Sequence, residues 1–152
     1  MSLIIATGSN QGDSLSFLKQ AKDLLTQHYS LIAESRIYCS KAVDYENQPD
    51  FFNQVLEFVL PALEAEDVMT DLLRIEKTLG RTRIISRGPR TIDIDIIFWG
   101  LKKYNSQHLT LPHPRWNERS FVVRPLQELP FFQTIEKCFT IPRSFEIDAS
   151  PI

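Results

Sequence analysis

Along the first hundred residues, apolar positions repeat with two spacings, one typical of strands and one typical of helices. Four short runs are compact or alternate with a period of two, and they predict strands at residues 3–7, 31–39, 51–60 and 91–99. Two segments repeat apolar residues every three or four positions and predict helices at residues 15–28 and 66–79. Polar segments that contain glycine or proline separate these elements and indicate loops.

The predicted element order is β-α-β-β-α-β, which is the order of a split βαβ unit. It favours an α+β fold of the ferredoxin-like type, in which helices pack on one face of an antiparallel sheet. Residues after Gly100 then form a C-terminal elaboration that is irregular around Pro142 and Pro151. Because the chain has 152 residues and neither a linker nor a repeat, we expect one domain over residues 1–152.

Charge and cysteine content narrow the class of protein. The chain has 17 Lys and Arg against 19 Asp and Glu, so no global basic field exists to hold nucleic acid or an anionic membrane. Cys39 and Cys138 are far apart and suggest neither a disulfide framework nor a thiolate zinc site. We expect a cytoplasmic protein, monomeric, with no membrane or nucleic-acid partner.

The predicted strand at residues 91–99, TIDIDIIFW, carries two acidic residues that the period of two places on one face of the sheet. Asp93 and Asp95 would repel each other there unless one takes a proton or a cation lies between them. Carboxylate oxygens are ligands that Mg²⁺ prefers, together with water and substrate phosphates. The alternative is a strand with a solvated acidic face.

A basic segment leads directly into this strand. Arg81, Arg83, Arg87 and Arg90 place four guanidinium groups within ten residues, and Arg is a bidentate partner of phosphate. Cations beside a metal-binding strand are what a polyphosphate requires, although a solvated loop paired with surface acids is the alternative. Glu76 lies one turn earlier, inside the apolar stripe of its helix. It is either a partly buried carboxylate with an Arg partner or a ligand contact.

Structural roles are the simpler interpretation of two further features, His113 and the segment 8–13. His113 lies between prolines that stiffen the backbone and direct its ring, but a lone histidine is more often structural than catalytic. Residues 8–13, GSNQGD, join a strand to a helix as a phosphate loop does. They lack the G-K-[ST] ending, so a turn in which Asp13 or Ser14 caps the helix is the better default.

Five segments, in this order and spacing, resemble one family over residues 6–126: GSNQGD, QPDFFN, IEKTLGRTR, RGPRTIDIDII and LPHPRWNERSF. The family is that of 6-hydroxymethyl-7,8-dihydropterin pyrophosphokinase. The resemblance implies a ferredoxin-like α+β fold and transfer of the β,γ-pyrophosphoryl group of ATP to the pterin hydroxymethyl oxygen. AMP is the other product of this step of folate biosynthesis.

The resemblance also implies roles for residues at matching positions. Asp93 and Asp95 match the ligands of two Mg²⁺ ions, and with Arg81 and Arg90 they form the implied catalytic set. The positions that match contacts to the co-substrate ATP are Glu76, Arg83, Arg87, Arg90, Ile96, Thr110, His113 and Arg119. The positions that match contacts to the pterin are Ser40, Val43, Phe51, Asn53, Asp93 and Phe121. Segment 81–90 resembles a lid that closes over bound substrates.

Three departures from the family pattern affect these expectations. Residues 40–44, SKAVD, replace a Thr-Pro-Pro type segment, so this loop is expected to be less restrained and Ser40 and Val43 less firmly placed. Arg87 stands where the family usually has Trp, which removes a stacking surface and supplies a cation. Pro114 follows His113 where some members have an aromatic residue.

Two other functions compete with this interpretation. An RNA-binding module of the RRM type has the same element order, and Phe51, Phe52 and Phe58 imitate its stacking aromatics. The negative net charge and the two aspartates of the fourth strand argue against it. The second competitor is another two-metal nucleotidyl or phosphoryl transferase, which would not require the QPDFFN and LPHPRWNERSF segments.

Overall fold

The computed structural model describes residues 1–42, 47–81 and 90–152. Its strands are β1 (Ser2–Ser9), β2 (Leu31–Glu34), β3 (Tyr38–Ser40), β4 (Phe51–Val59), β5 (Asp93–Trp99), β6 (Tyr104–Asn105), β7 (Thr110–Leu111) and β8 (Ser150–Pro151). Its helices are α1 (Ser14–Thr26), α2 (Ala65–Thr78), α3 (Ser120–Leu126) and α4 (Phe132–Glu136). Asp13 caps α1, since its Oδ1 accepts from the Ser16 N–H at 3.2 Å.

The main sheet has the order β5-β1-β4-β3-β8, and β2 also pairs with β4. Each of these pairings is antiparallel. Together with the packed helices, this confirms the predicted α+β fold with an antiparallel sheet. β1 lies between β4 and β5, so the strand that begins within QPDFFN and the acidic strand flank it.

The prediction of one continuous strand at residues 31–39 was wrong. Two short strands, β2 and β3, pair with β4 instead, and the register shifts between Leu31 and Ala33. Ser35 lies between them, and its hydroxyl accepts the Val55 N–H at 3.0 Å in place of a backbone carbonyl. This side-chain bond interrupts the regular ladder and explains why an alternating pattern does not give one strand.

Both faces of the sheet are covered, whereas the element order predicted helices on one face. On one face, Leu3, Ile5 and Phe58 pack in a core that includes residues of α1 and α2. On the other, Ile4 and Val55 pack in a second core that includes residues of α3 and α4. Because neighbouring residues of the central strands are both apolar, each face needs a cover. The segment after Gly100 supplies the second one.

Within the described residues, no helix is long and apolar enough to cross a membrane.

Candidate active site

One row of residues across the neighbouring strands β4, β1 and β5 organises the site. Gly8 of β1 lies opposite Asn53 of β4 on one side and opposite Asp93 of β5 on the other. A Cβ atom at Gly8 would lie 2.5 Å from Asn53 Oδ1. Glycine at this position therefore leaves room for the Asn53 carboxamide on the face that α3 covers.

A cavity of about 330 Å³, here called the first cavity, opens above this row. It brings together residues that are distant in sequence: Phe51, Asn53, Arg90, Asp93, Asp95, His113, Arg119 and Phe121. A second cavity, of about 600 Å³, includes Glu76, Ile96 and Thr110. Asp95 and His113 line both cavities, so the two spaces are adjacent.

Arg81 lies at the centre of a buried network of charges. Its Nη1 donates to Glu76 Oε1 at 3.0 Å and to Asp93 Oδ1 at 2.7 Å. The other Glu76 oxygen accepts the Ile94 N–H of β5 at 2.7 Å. The side chains of Glu76 and Arg81 are 4% and 11% exposed. The network joins the end of α2 to the start of β5. Of the two interpretations that the sequence left open for Glu76, the structure matches the buried carboxylate with an Arg partner.

Arg90 and Asn10 connect the acidic strand to the rest of the site. Arg90 Nη1 lies 3.4 Å from Asp93 Oδ2, and its guanidinium lies over the Phe51 ring at 5.4 Å. Asn10 Oδ1 accepts the Arg90 N–H at 2.9 Å, and Asn10 Nδ2 donates to Gln48 Oε1 and to the Pro49 carbonyl. Asn10 thus bridges the segments that lead into β4 and β5.

Asp93 and Asp95 point to the same side of β5, as the period of two predicted, and both line the first cavity. Burial, together with the negative charges of Asp93 and Glu76, raises the pKa of Asp95 to about 7. Within the described residues, Asp95 has neither a hydrogen bond nor a salt bridge. A carboxylate with free oxygens beside a second carboxylate fits the donor set of Mg²⁺, which uses one or two protein carboxylates and completes its shell with water and phosphate.

This fit does not depend on a larger cluster of ligands. In the part of the chain that the structure describes, no group of three or more His, Cys, Asp and Glu side chains is placed to hold a metal ion. A site of two carboxylates is therefore suited to an ion that arrives with a polyphosphate rather than to a permanently caged one.

His113 is held in one tautomer. Its Nδ1 accepts the Arg115 N–H at 3.1 Å, which leaves Nε2 to carry the proton. Burial and the positive charge of Arg119 lower the pKa of His113 to about 4. His113 is therefore a neutral N–H donor at physiological pH, positioned between the two cavities.

The other side of the first cavity is aromatic and polar. Phe51 of β4 and Phe121 of α3 both line it, and the Arg119 guanidinium lies 5.6 Å from the Phe121 ring centre. Among the described residues, Asn53 Nδ2 is buried and has no hydrogen-bond partner. Ser40 Oγ is likewise buried without a partner, opposite Phe51 in the sheet register. Orphaned buried donors of this kind point to a missing ligand.

The structure leaves some sequence predictions untested. Val43, Arg83 and Arg87 lie outside the described residues, as does the predicted lid apart from its two ends. Ser40 lies beside the first cavity rather than in its lining, and Pro114 lines the second cavity. The roles that the resemblance implies for all the site residues therefore stay predictions.

Sequence reasoning gave no site role to several residues that the structure places in or beside the first cavity, among them Gly8, Asn10, Gln48 and Arg115. From its residues, the segment GSNQGD was interpreted as a turn with a helix cap, and it also contributed to the family resemblance, but no site role was given to its members. Its position directly after the apolar run of the first predicted strand was the available signal for Gly8 and Asn10.

The geometry contradicts the RNA-binding alternative. Phe58 is fully buried in the core that contains α1 and α2, so it cannot stack on a base. Phe52 also packs against that core. The opposite face, where the RRM exposes its aromatics, is covered here by α3.

Comparison with known proteins identifies the family of this chain. Residues 4–130 match the family described as 7,8-dihydro-6-hydroxymethylpterin-pyrophosphokinase. A 2-amino-4-hydroxy-6-hydroxymethyldihydropteridine pyrophosphokinase of Bacillus subtilis is 40% identical over 135 residues, which are 88% of this chain and 79% of that protein. The protein of the same name from Aquifex aeolicus is 34% identical, over 82% of this chain and 78% of its own length.

A longer relative contains the same unit. The folic acid synthesis protein fol1 of Pneumocystis carinii is 40% identical over 126 residues, which are 82% of this chain but 17% of that protein. The family match and the names of these relatives place the chain among the pyrophosphokinases, a class of transferase. The chain belongs to the 7,8-dihydro-6-hydroxymethylpterin-pyrophosphokinase family, enzymes of folate synthesis.

Proposed function

We propose that this chain transfers the terminal diphosphate of ATP to the hydroxymethyl oxygen of 6-hydroxymethyl-7,8-dihydropterin and releases AMP. One observation carries the proposal: the two carboxylates of β5 share a cavity with a buried, unpartnered carboxamide and two aromatic rings. The carboxylates suit a metal polyphosphate, and the aromatic side suits a flat heterocycle. A transfer reaction requires both substrates in one space.

Asp93 and Asp95 would hold Mg²⁺, two ions in the mechanism we propose. Bound there, Mg²⁺ neutralises charge on the phosphate oxygens and orients them for attack in line with the β-phosphorus. The Arg81 guanidinium, which contacts Asp93, supports this arrangement by holding the carboxylate in place. Asp95 must give up its proton to act as a ligand, and a nearby cation favours the charged form.

The cationic and neutral donors around the carboxylates suit the anionic part of ATP. Arg90, Arg119 and Arg115 line the first cavity, and guanidinium groups bind phosphate oxygens in pairs of hydrogen bonds. His113 contributes an N–H without adding a positive charge. The second cavity, lined by Ile96 and Thr110, is the space we assign to the nucleoside.

The pterin is assigned to the aromatic side of the first cavity. Its ring fits between Phe51 and Phe121, and the Asn53 amide provides a donor at the ring edge. Because Asn53 and Asp93 share a row with Gly8 between them, a ring held by Asn53 extends its substituent toward the carboxylates. The hydroxyl oxygen bonds to the β-phosphorus, the bond to the α,β-bridging oxygen breaks, and the hydroxyl proton passes to water.

The test is product analysis. The protein is incubated with ATP, Mg²⁺ and 6-hydroxymethyl-7,8-dihydropterin, and nucleotides are separated by chromatography. We expect AMP in amounts equal to the pterin diphosphate formed, and no AMP when the pterin is omitted. ADP as the only nucleotide product would contradict the proposal and indicate transfer of a single phosphoryl group.

A further inference from the structure

Residues 143–152 lie beyond residues 4–130, which match the family, yet they join the two walls of the first cavity. One wall is α3, which carries Phe121, and the other is the sheet, which carries Phe51 and Asn53. Both ends of the connection are built from specific hydrogen bonds. We call residues 143–152 the strap.

The strap holds the first turn of α3 through one buried hydroxyl. Ser120, which is 2% exposed, donates to the Ile147 carbonyl at 2.7 Å and accepts the Ala149 N–H at 2.9 Å. Ser120 is the first residue of α3 and directly precedes Phe121. Its two bonds therefore set the position of the backbone from which the aromatic ring projects.

One helical turn later, Arg124 makes a second attachment on the same face of α3. Its Nε and Nη2 bond the two oxygens of Asp148 at 3.1 and 3.2 Å, and Nη2 also donates to the Arg143 carbonyl. The guanidinium lies 5.2 Å from the Phe145 ring centre. Two attachments four residues apart fix the direction of the helix as well as its position.

At its other end the strap becomes β8 and extends the sheet. Ser150 pairs with Cys39 of β3, and the Ile152 N–H donates to the Ile37 carbonyl at 3.0 Å. The same strand β3 pairs with β4 so that Ser40 lies opposite Phe51. The strap is thus connected to the strand pair that carries the sheet wall of the cavity.

We propose that the strap is a positioning element that sets the distance between the Phe121 and Phe51 walls. It thereby tunes the affinity for the flat pterin ring, an inference that rests on the proposed function. A ring gains from two aromatic faces only when both lie in contact distance, so a small shift of α3 costs stacking on one side. The strap lies outside the lining of both cavities and acts through its attachments to α3, at Ser120 and Arg124, and through β3. Its contribution is therefore selective for the pterin over ATP.

The first test variant is Ser120→Ala, which removes both hydrogen bonds with a minimal change of volume. The second is Asp148→Ala, which breaks the Arg124 attachment at an exposed residue and leaves the buried core intact. The matched control is Glu34→Ala, which breaks an exposed ion pair with Lys22 that joins α1 to β2. Pterin affinity is measured directly by quenching of the dihydropterin fluorescence, and both KM values are measured in parallel.

We expect Ser120→Ala to raise the pterin Kd and KM about 5-fold to 20-fold and Asp148→Ala about 2-fold to 5-fold, with the KM for ATP unchanged. Glu34→Ala should leave both substrates unaffected. Equal losses for both substrates, or unchanged pterin affinity in Asp148→Ala with a normal melting temperature, would overturn the proposal. Failure of the wild-type protein to bind the pterin would instead overturn the proposed function.

Discussion

The two sides of the first cavity satisfy their polar groups in opposite ways. On the charged side, Arg90, Asp93 and Asp95 line the cavity, and Arg81 and Glu76 adjoin Asp93. Within the described residues, all of these except Asp95 are joined by ion pairs, as in the bond of 2.7 Å between Arg81 and Asp93. On the aromatic side, formed by Phe51, Asn53 and Phe121 with Ser40 beside them, two buried polar atoms have no partner among the described residues. The charged side must therefore rearrange its ion pairs when a polyphosphate binds, whereas the unpartnered atoms of the aromatic side can bond to a ligand without first breaking a hydrogen bond.

Two arginines connect the charged side of the cavity with the aromatic side. Arg90 lies over the ring of Phe51, and Arg119 lies over the ring of Phe121. In the absence of ligand, each aromatic face thus has a cation against it. A polyphosphate that draws the two guanidinium groups away would uncover the faces on which a flat ring stacks, so the order of binding would favour the nucleotide first.

The largest effect is expected from the carboxylates of the charged side. Asp93→Ala or Asp95→Ala should lower kcat by about three orders of magnitude or more, because each removes charge from the site proposed to hold Mg²⁺. Steady-state AMP production measures this loss. As a control, a melting temperature close to that of the wild type would show that each variant is still folded. Near wild-type turnover in either variant would remove the metal role from our account.

The next effect separates two arginines of the charged side. Arg81→Ala should destabilise the protein by about 3 kcal/mol, because the Glu76 carboxylate stays buried after its ion pair with Arg81 is lost. Arg90→Ala should destabilise it less, since its 3.4 Å contact with Asp93 is weaker. Both variants should lower kcat more than ATP affinity. Urea denaturation and stopped-flow binding check these expectations, and a loss of ATP affinity alone would contradict them.

What the sequence predicted correctly was local in origin. The shared face of Asp93 and Asp95 follows from a period of two, and the pairing of Glu76 with Arg81 follows from a helix that ends one turn before a basic segment. These relations connect residues that are close in the chain. The interruption at Ser35 was not predicted, because it depends on a bond to a different strand.

The remaining parts of the site depend on which strands are neighbours. The row of Asn53, Gly8 and Asp93 exists only because β1 lies between β4 and β5. Asn10 bridges segments about 40 and 80 residues away, and no periodicity of the sequence reports such distances. Phe121 could be placed from the resemblance, but the helix that carries it was not predicted from the pattern.

The aromatic side should respond differently from the charged side. Asn53→Ala should raise the pterin Kd about 10-fold or more and leave ATP affinity and stability nearly unchanged, because the lost Nδ2 donor has no partner in the protein. Gly8→Ala is a second route to the same result, since its Cβ would displace Asn53 Oδ1. Calorimetric titration with each substrate checks both variants. A large loss of stability in Asn53→Ala would show that this side is not open as described.

The smallest effect concerns pH in the metal-free protein. Because the pKa of Asp95 is raised to about 7, the folded state binds a proton that the unfolded state releases near pH 4. This stabilisation is complete below pH 4 and is lost as the pH rises through 7. Asp95→Asn should therefore gain about 2–3 kcal/mol of stability relative to the wild type between pH 5 and pH 8. Denaturant titrations in EDTA measure the difference, and the same difference at both pH values would contradict the burial of Asp95.

The central claim is that metal and phosphate replace the present contacts of the aspartates and arginines. It is tested most directly by a crystal structure with a non-hydrolysable ATP analogue and Mn²⁺, in which the metal is located by its anomalous signal. The account predicts metal peaks about 2.1 Å from carboxylate oxygens of both Asp93 and Asp95, with Arg90 and Arg119 moved from the aromatic rings onto phosphate oxygens. Metal bound by the phosphates alone, with Asp95 in bulk water and both guanidinium groups still over the rings, would contradict it.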